Sequence, residues 1–299
     1  MIVKKVVNKV VKKVVETGLA GMLLIPIAIA GERNIKNTPG ADTSSMRRAS
    51  VSITVRKGFL VLAAGQIGGM RGKQNFVVDT GTSPSILNAR FAKRMGLEVT
   101  AGVLLAAGRA VEVRQAVVPE LELGPVQVTG LRMNVMDLSQ WERDLGTEIA
   151  ALIGMDVLGQ TNFRLDYEKK ELDFGGEAEE GIAVEYDGVS GLVLADATLQ
   201  GRQVKLIVDT GSDLVVVYGG NWEGEKKEAR GGKSVAGRET AREIEKAVTV
   251  LGGKSFSGSR TYCIPSGKGA GYDGFVGVRA LKLRGVSFDR ERQTMYLLN

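Results

Sequence analysis

A mainly β chain, folded as two similar lobes related by an approximate twofold axis with a cleft between them, is predicted by three observations. A short motif occurs twice, further landmarks follow each copy in the same order, and the 299 residues combine 40 glycines with only 5% aromatics. Abundant glycine and few aromatics suit many short strands joined by tight turns better than a helical bundle. The length suits two units of ordinary size, each with its own apolar core. With 43% hydrophobic and 25% charged residues, the bulk reads as soluble and globular.

The repeat is the strongest of the three. Residues 75–87 read NFVVDTGTSPSIL and residues 205–217 read KLIVDTGSDLVVV. Each is an apolar strand running into Asp-Thr-Gly-(Thr/Ser), and the two aspartates, Asp79 and Asp209, stand 130 positions apart. Ala107-Gly108-Arg109 follows the first copy by 28 residues and Ala236-Gly237-Arg238 the second by 27. Leu152-Ile153-Gly154 and Phe275-Val276-Gly277 come next, each with an aspartate, Asp166 or Asp289, 12 residues beyond its glycine. Both halves then end in a strand-like run, at 171–174 and 295–298. Short motifs carry little weight singly, but a pair with shared landmarks indicates an internal duplication.

These landmarks divide the chain into residues 1–30, a leader; 31–50, a polar linker; 51–175, the first lobe; 176–189, a Gly- and Glu-rich connector expected to be solvated; and 190–299, the second lobe. Strands are expected at 75–78, 116–123 and 205–208. Short helices are expected near 85–95, 155–160 and 278–283. The charge-dense stretch 223–242 reads as a solvated loop and helix face. Asp166 and Asp289 read as turn acids, and Trp141 and Trp222 either pack in the core or line a cleft.

Composition narrows the chemistry. The chain has no histidine and one cysteine, Cys263. Ser-His-Asp and Cys-His catalysis, His-ligated metals and internal disulfides are thereby excluded, and Cys263 reads as a buried bystander. Of the formal charge of +6, the leader supplies +4 through five lysines and Glu16, so the body, at +2, offers no nucleic-acid footprint.

An Asp-Thr-Gly loop can hold a carboxylate rigidly. Glycine permits close backbone approach, and its N–H, with the hydroxyl of the next Thr or Ser, can donate to the carboxylate. Two such loops facing each other bring the carboxylates to about 3 Å, where both cannot ionise and the pair shares a proton. One acid can then draw a proton from a water while the other protonates a peptide carbonyl. This hydrolysis requires no histidine, thiol or metal, and no cofactor is expected.

On these motifs the chain resembles the retropepsin-like and pepsin-like aspartic proteases, in particular bacterial retropepsin-type domains in tandem, over residues 51–298. The resemblance implies that Asp79 and Asp209 are catalytic. It also implies that Thr80 and Thr210 cross-bond beneath them, with Gly81, Thr82, Gly211 and Ser212 as supports. The Ile153-Gly154 and Val276-Gly277 elements would pack under the acid loops. Gly108 and Gly237 fall where the family carries a flap, though each equally fits an ordinary hairpin turn. The sequence departs from the family pattern in two respects: neither candidate flap has a tyrosine, and Arg279 stands where the first half has Asp156.

An aspartic endopeptidase acting on peptide or unfolded protein, as a monomer, is therefore the expected function. A non-catalytic peptide-binding or envelope-interaction module keeping the same fold is the alternative. Residues 17–30 form an apolar run closed by Ala28-Ile29-Ala30, which suits an export signal and a periplasmic or extracellular location. The valines and lysines of residues 3–15 also suit an amphipathic segment lying on a membrane.

Overall fold

The strands leading into the two Asp-Thr-Gly motifs are apolar on both faces, and this determines where they lie. In the computed structural model, Gln74–Val78 and Arg202–Asp209 are interior strands with cores on either side. Residues 27–28, 48–106, 109–176, 180–188, 191–234, 237–265 and 271–299 are described. Alternation along each strand sends side chains to opposite faces. Phe76, Val78, Leu206 and Val208 enter one core common to both halves, whereas Val77 and Ile207 enter two separate outer cores. Burying each such side chain stabilises the fold by about 1.5–3 kcal/mol.

The described residues are mainly β, with three short helices at Ala89–Arg94, Ser139–Leu145 and Met155–Leu158. Around the first motif, Gln74–Val78 pairs antiparallel with Leu60–Ile67 and parallel with Ala151–Ile153. Ile86–Asn88 pairs antiparallel with Ala151–Ile153 and parallel with Val126–Met136. The pairing scheme recurs around the second motif. Arg202–Asp209 pairs antiparallel with Leu194–Leu199 and parallel with Gly274–Gly277. Val215–Tyr218 pairs antiparallel with Gly274–Gly277 and parallel with Thr261–Ile264.

The two halves are joined through a shared run of strands in the order Ala49–Arg56, Glu171–Phe174, Phe163–Asp166, Gly285–Asp289, Thr294–Leu298, Ile182–Glu185. At its centre Phe163–Asp166 pairs antiparallel with Gly285–Asp289, and Phe163 stacks on Phe288 across the junction at 4.6 Å.

Several expectations need correction. The connector contains a strand: Ile182–Glu185 pairs with Thr294–Leu298 and buries Val184, so an edge of the shared sheet is built from residues whose Gly- and Glu-rich surroundings suggested solvent. The stretch 223–242 is part of a β-hairpin, Glu225–Ser234 with Gly237–Ile244. Its charges alternate across the strands, Lys226 with Glu243 at 3.0 Å and Arg242 with Glu225 at 2.9 Å, which favours pairing over a helix.

Residues 278–283 form turns rather than a helix. Ala280 and Lys282 donate to carbonyls three residues back, and Lys282, at φ 59°, ends the run. The helix expected near 85–95 is shorter, because Ile86 and Leu87 are drawn into the sheet and Asn88 caps the helix that begins at Ala89. Asp166 and Asp289 are turn acids, accepting from Glu168 and Lys169 and from Arg292 respectively. Trp222 is buried and donates to Gly219 O, and Trp141 packs against the first outer core.

Residues 1–26 and 29–47, most of the leader and linker, lie outside the described residues; Ile27–Ala28 pairs with the edge of Thr100–Ala106. Among the described residues no helix is long and apolar enough to cross a membrane.

Candidate active site

Strand, turn and glycine each contribute to placing Asp79. Its N–H donates to Ile153 O at 3.0 Å, which fixes the end of the strand on the neighbouring parallel strand. The chain then turns, and the Gly81 N–H comes back to Asp79 Oδ1 at 2.9 Å while the Thr82 hydroxyl donates to Oδ2 at 2.7 Å. In the second half the Gly211 N–H donates to Asp209 Oδ1 at 2.6 Å. Both aspartates are fully buried.

The two acids meet. A Cβ placed on Gly81 would lie 2.7 Å from Asp209 Cγ, so the carboxyl group of the second half rests against the glycine turn of the first. Only a residue without a side chain fits there. Gly154 and Gly277 have a comparable role beneath the loops, where a Cβ would lie 2.0 Å from Thr82 O and 2.3 Å from Ser212 O.

Thr80 and Thr210 bond reciprocally across the halves. The Thr80 N–H donates to Thr210 Oγ1 at 3.1 Å and the Thr210 N–H to Thr80 Oγ1 at 3.0 Å. Each hydroxyl then donates across the junction, Thr80 to Val208 O at 2.7 Å and Thr210 to Val78 O at 3.2 Å. These four bonds tie together the ends of the two acid-bearing strands.

The supports are unequal. Ser212 does not donate to Asp209 as its position suggested; its Oγ accepts from the Leu214 N–H at 3.1 Å in a local hydroxyl turn. Asp209 Oδ2 is buried and receives no donor from its own loop. Burial raises the pKa of Asp79, opposed by its bonds from Thr82, Asp209 and Gly81. Burial raises Asp209 further above the carboxylate range; the Asp79 charge and the bond between the two carboxyl groups add to it, and the Gly211 N–H alone opposes it.

Because both acids bind protons more tightly folded than unfolded, the folded state takes up protons and is stabilised at low pH. That contribution is complete below the unfolded value, about pH 4, and is lost as pH rises through the raised folded values. The melting temperature of the wild type, measured against that of Asp209→Asn, is expected to decline from mildly acidic to neutral pH. A difference that stays flat across this range would contradict the assignment.

Ser85 and Tyr167, which nothing in the sequence singles out, also belong to the site. Ser85 gives its N–H and hydroxyl to the half-buried Asp156 at 2.9 and 2.6 Å, and its Oγ accepts from the Gly154 N–H at 2.9 Å. Tyr167, buried below the acids, donates its hydroxyl to Thr210 O at 3.4 Å. Gly108 lies outside the described residues. Gly237 pairs with Ser234 at the end of their two strands, and residues 235–236 between them are likewise outside. No group of three or more His, Cys, Asp or Glu able to hold a metal ion occurs among the described residues.

Residues 63–157 match a family model described as aspartyl protease, supporting a hydrolase of the protease class. The match contains Asp79 and Gly154, and the second half lies beyond it. No curated protein matches the chain.

Proposed function

We propose that the protein is an aspartic endopeptidase whose two halves, related by an approximate twofold axis, present Asp79 and Asp209 as one catalytic pair. The observation that carries this reading is the approach of the Asp209 carboxyl group to Gly81, within the loop that holds Asp79.

The unequal supports divide the labour. Asp79 receives two donors from its own loop and Asp209 one, so the negative charge resides on Asp79 and the proton on Asp209. Ionised Asp79 takes a proton from a water held between the acids, and that water's oxygen bonds to the peptide carbonyl carbon. Asp209 gives its proton to the carbonyl oxygen, which avoids a free oxyanion. Collapse of the tetrahedral diol breaks the C–N bond, with the proton now on Asp79 passing to the leaving amine and the diol returning its hydroxyl proton to Asp209.

Both acids are buried. On this reading Gly108 and Gly237 belong to the segments that admit the peptide. Thr80, Gly81, Thr82, Thr210 and Gly211 support the pair, and Ser212 shapes the second loop. On this reading the protein is an exported or membrane-associated monomer, with residues 1–30 as its leader.

Incubation with an unfolded protein across pH 3–7 is expected to release peptides, most rapidly at mildly acidic pH where the pair holds one proton. A statine-containing peptide, which carries a hydroxyl where the attacking water would stand, should block the release. Absence of cleavage throughout this range, or cleavage indifferent to the statine peptide, would refute the proposal.

A further inference from the structure

The two acid loops are braced differently, and the difference is traceable to two positions. In the first half, Ser85 follows Asp79 by six residues and Asp156 follows Gly154 by two; their hydrogen bonds tie the acid loop to the Gly154 element from within. The matching residues of the second half are Val215 and Arg279. Neither can accept from a side chain, so the internal brace has no counterpart there.

Arg279 instead reaches out of its own half. Its Nε donates to Gly58 O at 3.2 Å, in the turn between Ala49–Arg56 and Leu60–Ile67 of the first half, while Nη1 donates to Leu283 O at 2.6 Å. Held at both ends, the guanidinium lies over the Tyr167 ring, 5.0 Å from its centroid. Tyr167 belongs to the first half and is tied into the shared sheet by its N–H to Arg284 O at 2.9 Å. Its hydroxyl meets the carbonyl of Thr210, the residue next to Asp209. The residue matching Tyr167 in the second half, Arg290, bonds to Gln160 O at 3.3 Å and does not take the corresponding place.

We propose that Arg279 and Tyr167 are positioning residues: a strut that crosses between the halves and holds the Asp209 loop in register with Asp79, replacing the internal brace that the second half lacks. The function assigned to the strut rests on the reading of Asp79 and Asp209 as the catalytic pair. The charged and titratable groups gathered about the Tyr167 hydroxyl are Arg279, Asp209 and Asp79.

The test compares full-length wild type with Arg279→Met, Arg279→Lys and Tyr167→Phe. Carboxyl-carbon NMR follows the titration of the aspartate pair without requiring turnover, and pH–rate profiles of peptide hydrolysis follow catalysis. Loss of both guanidinium bonds in Arg279→Met should let the Asp209 loop drift from Asp79 and move the titration of Asp209 downward, because the Asp79 charge is part of what raises it. Arg279→Lys, which keeps the charge but cannot make both bonds, should do the same. Tyr167→Phe, which leaves the cation in place, should lower kcat about tenfold, as expected for a misplaced catalytic group, with KM little changed. Melting curves establish that each variant is folded where it is assayed.

An unchanged titration in folded Arg279→Met, or full recovery in Arg279→Lys, would overturn the strut whatever the activity. A shifted titration in a protein with no hydrolysis would sustain the strut and refute the peptidase reading instead.

Discussion

Replacing either Asp79 or Asp209 by asparagine is expected to reduce kcat/KM for peptide hydrolysis by about 10³-fold or more, while the protein stays folded. An amide keeps the shape of the carboxyl group but can neither take a proton from water nor release one to a carbonyl, and each such transfer contributes about 10²–10⁴-fold. The two variants should fail to a similar extent, and combining them should cost little more, because the acids act as one unit. Folding should not suffer, because asparagine at 209 keeps the shape of the protonated carboxyl group and can still accept from the Gly211 N–H. Activity within tenfold of wild type in either variant, with contaminating protease excluded by an inactive mock purification, would remove the pair from the mechanism.

Thr80→Val is expected to have the largest effect on stability. Removing one hydroxyl leaves the Thr210 N–H without its acceptor and Val208 O without its donor, both in the buried junction. Each orphaned group costs about 1–3 kcal/mol, so a loss of about 2–6 kcal/mol is anticipated. At about 2–4 °C per kcal/mol for a chain near this size, the melting temperature should fall by roughly 4–24 °C. Thr80→Ser keeps the oxygen and should recover most of the loss. Thr80→Val combined with Thr210→Val should cost less than the sum of the single changes, because both belong to one network. Strict additivity, or a wild-type melting temperature in Thr80→Val, would show that the reciprocal bonds do not hold the halves together.

The legible parts of this fold are those in which a residue type permits only one arrangement. The apolar strands before Asp79 and Asp209 could be buried only within a sheet, and Gly154 and Gly277 mark backbone approaches that any side chain would obstruct. Features that depend on the opposite half gave no local signal. Tyr167 follows a turn acid, and nothing marks it until the fold brings Thr210 over it. Arg279 is visible as a departure from Asp156, but its target, Gly58, lies 221 positions away. Ser212 shows the converse difficulty: its type fits a donor to Asp209, and a competing N–H two residues along takes its oxygen. The strand at Ile182–Glu185 and the hairpin at 225–244 were concealed because pairing partners outweigh the propensity of polar residues.

The shared sheet has a consequence for how the site responds to scarcity. Phe163–Asp166 and Gly285–Asp289 lie side by side as parts of one polypeptide, and the reciprocal threonine bonds above them are equally intramolecular. The acids therefore meet by a unimolecular closure, and mass action has no hold over their encounter. A single copy released into a large volume keeps both acids together, whereas an enzyme divided between two separate subunits would come apart as it was diluted.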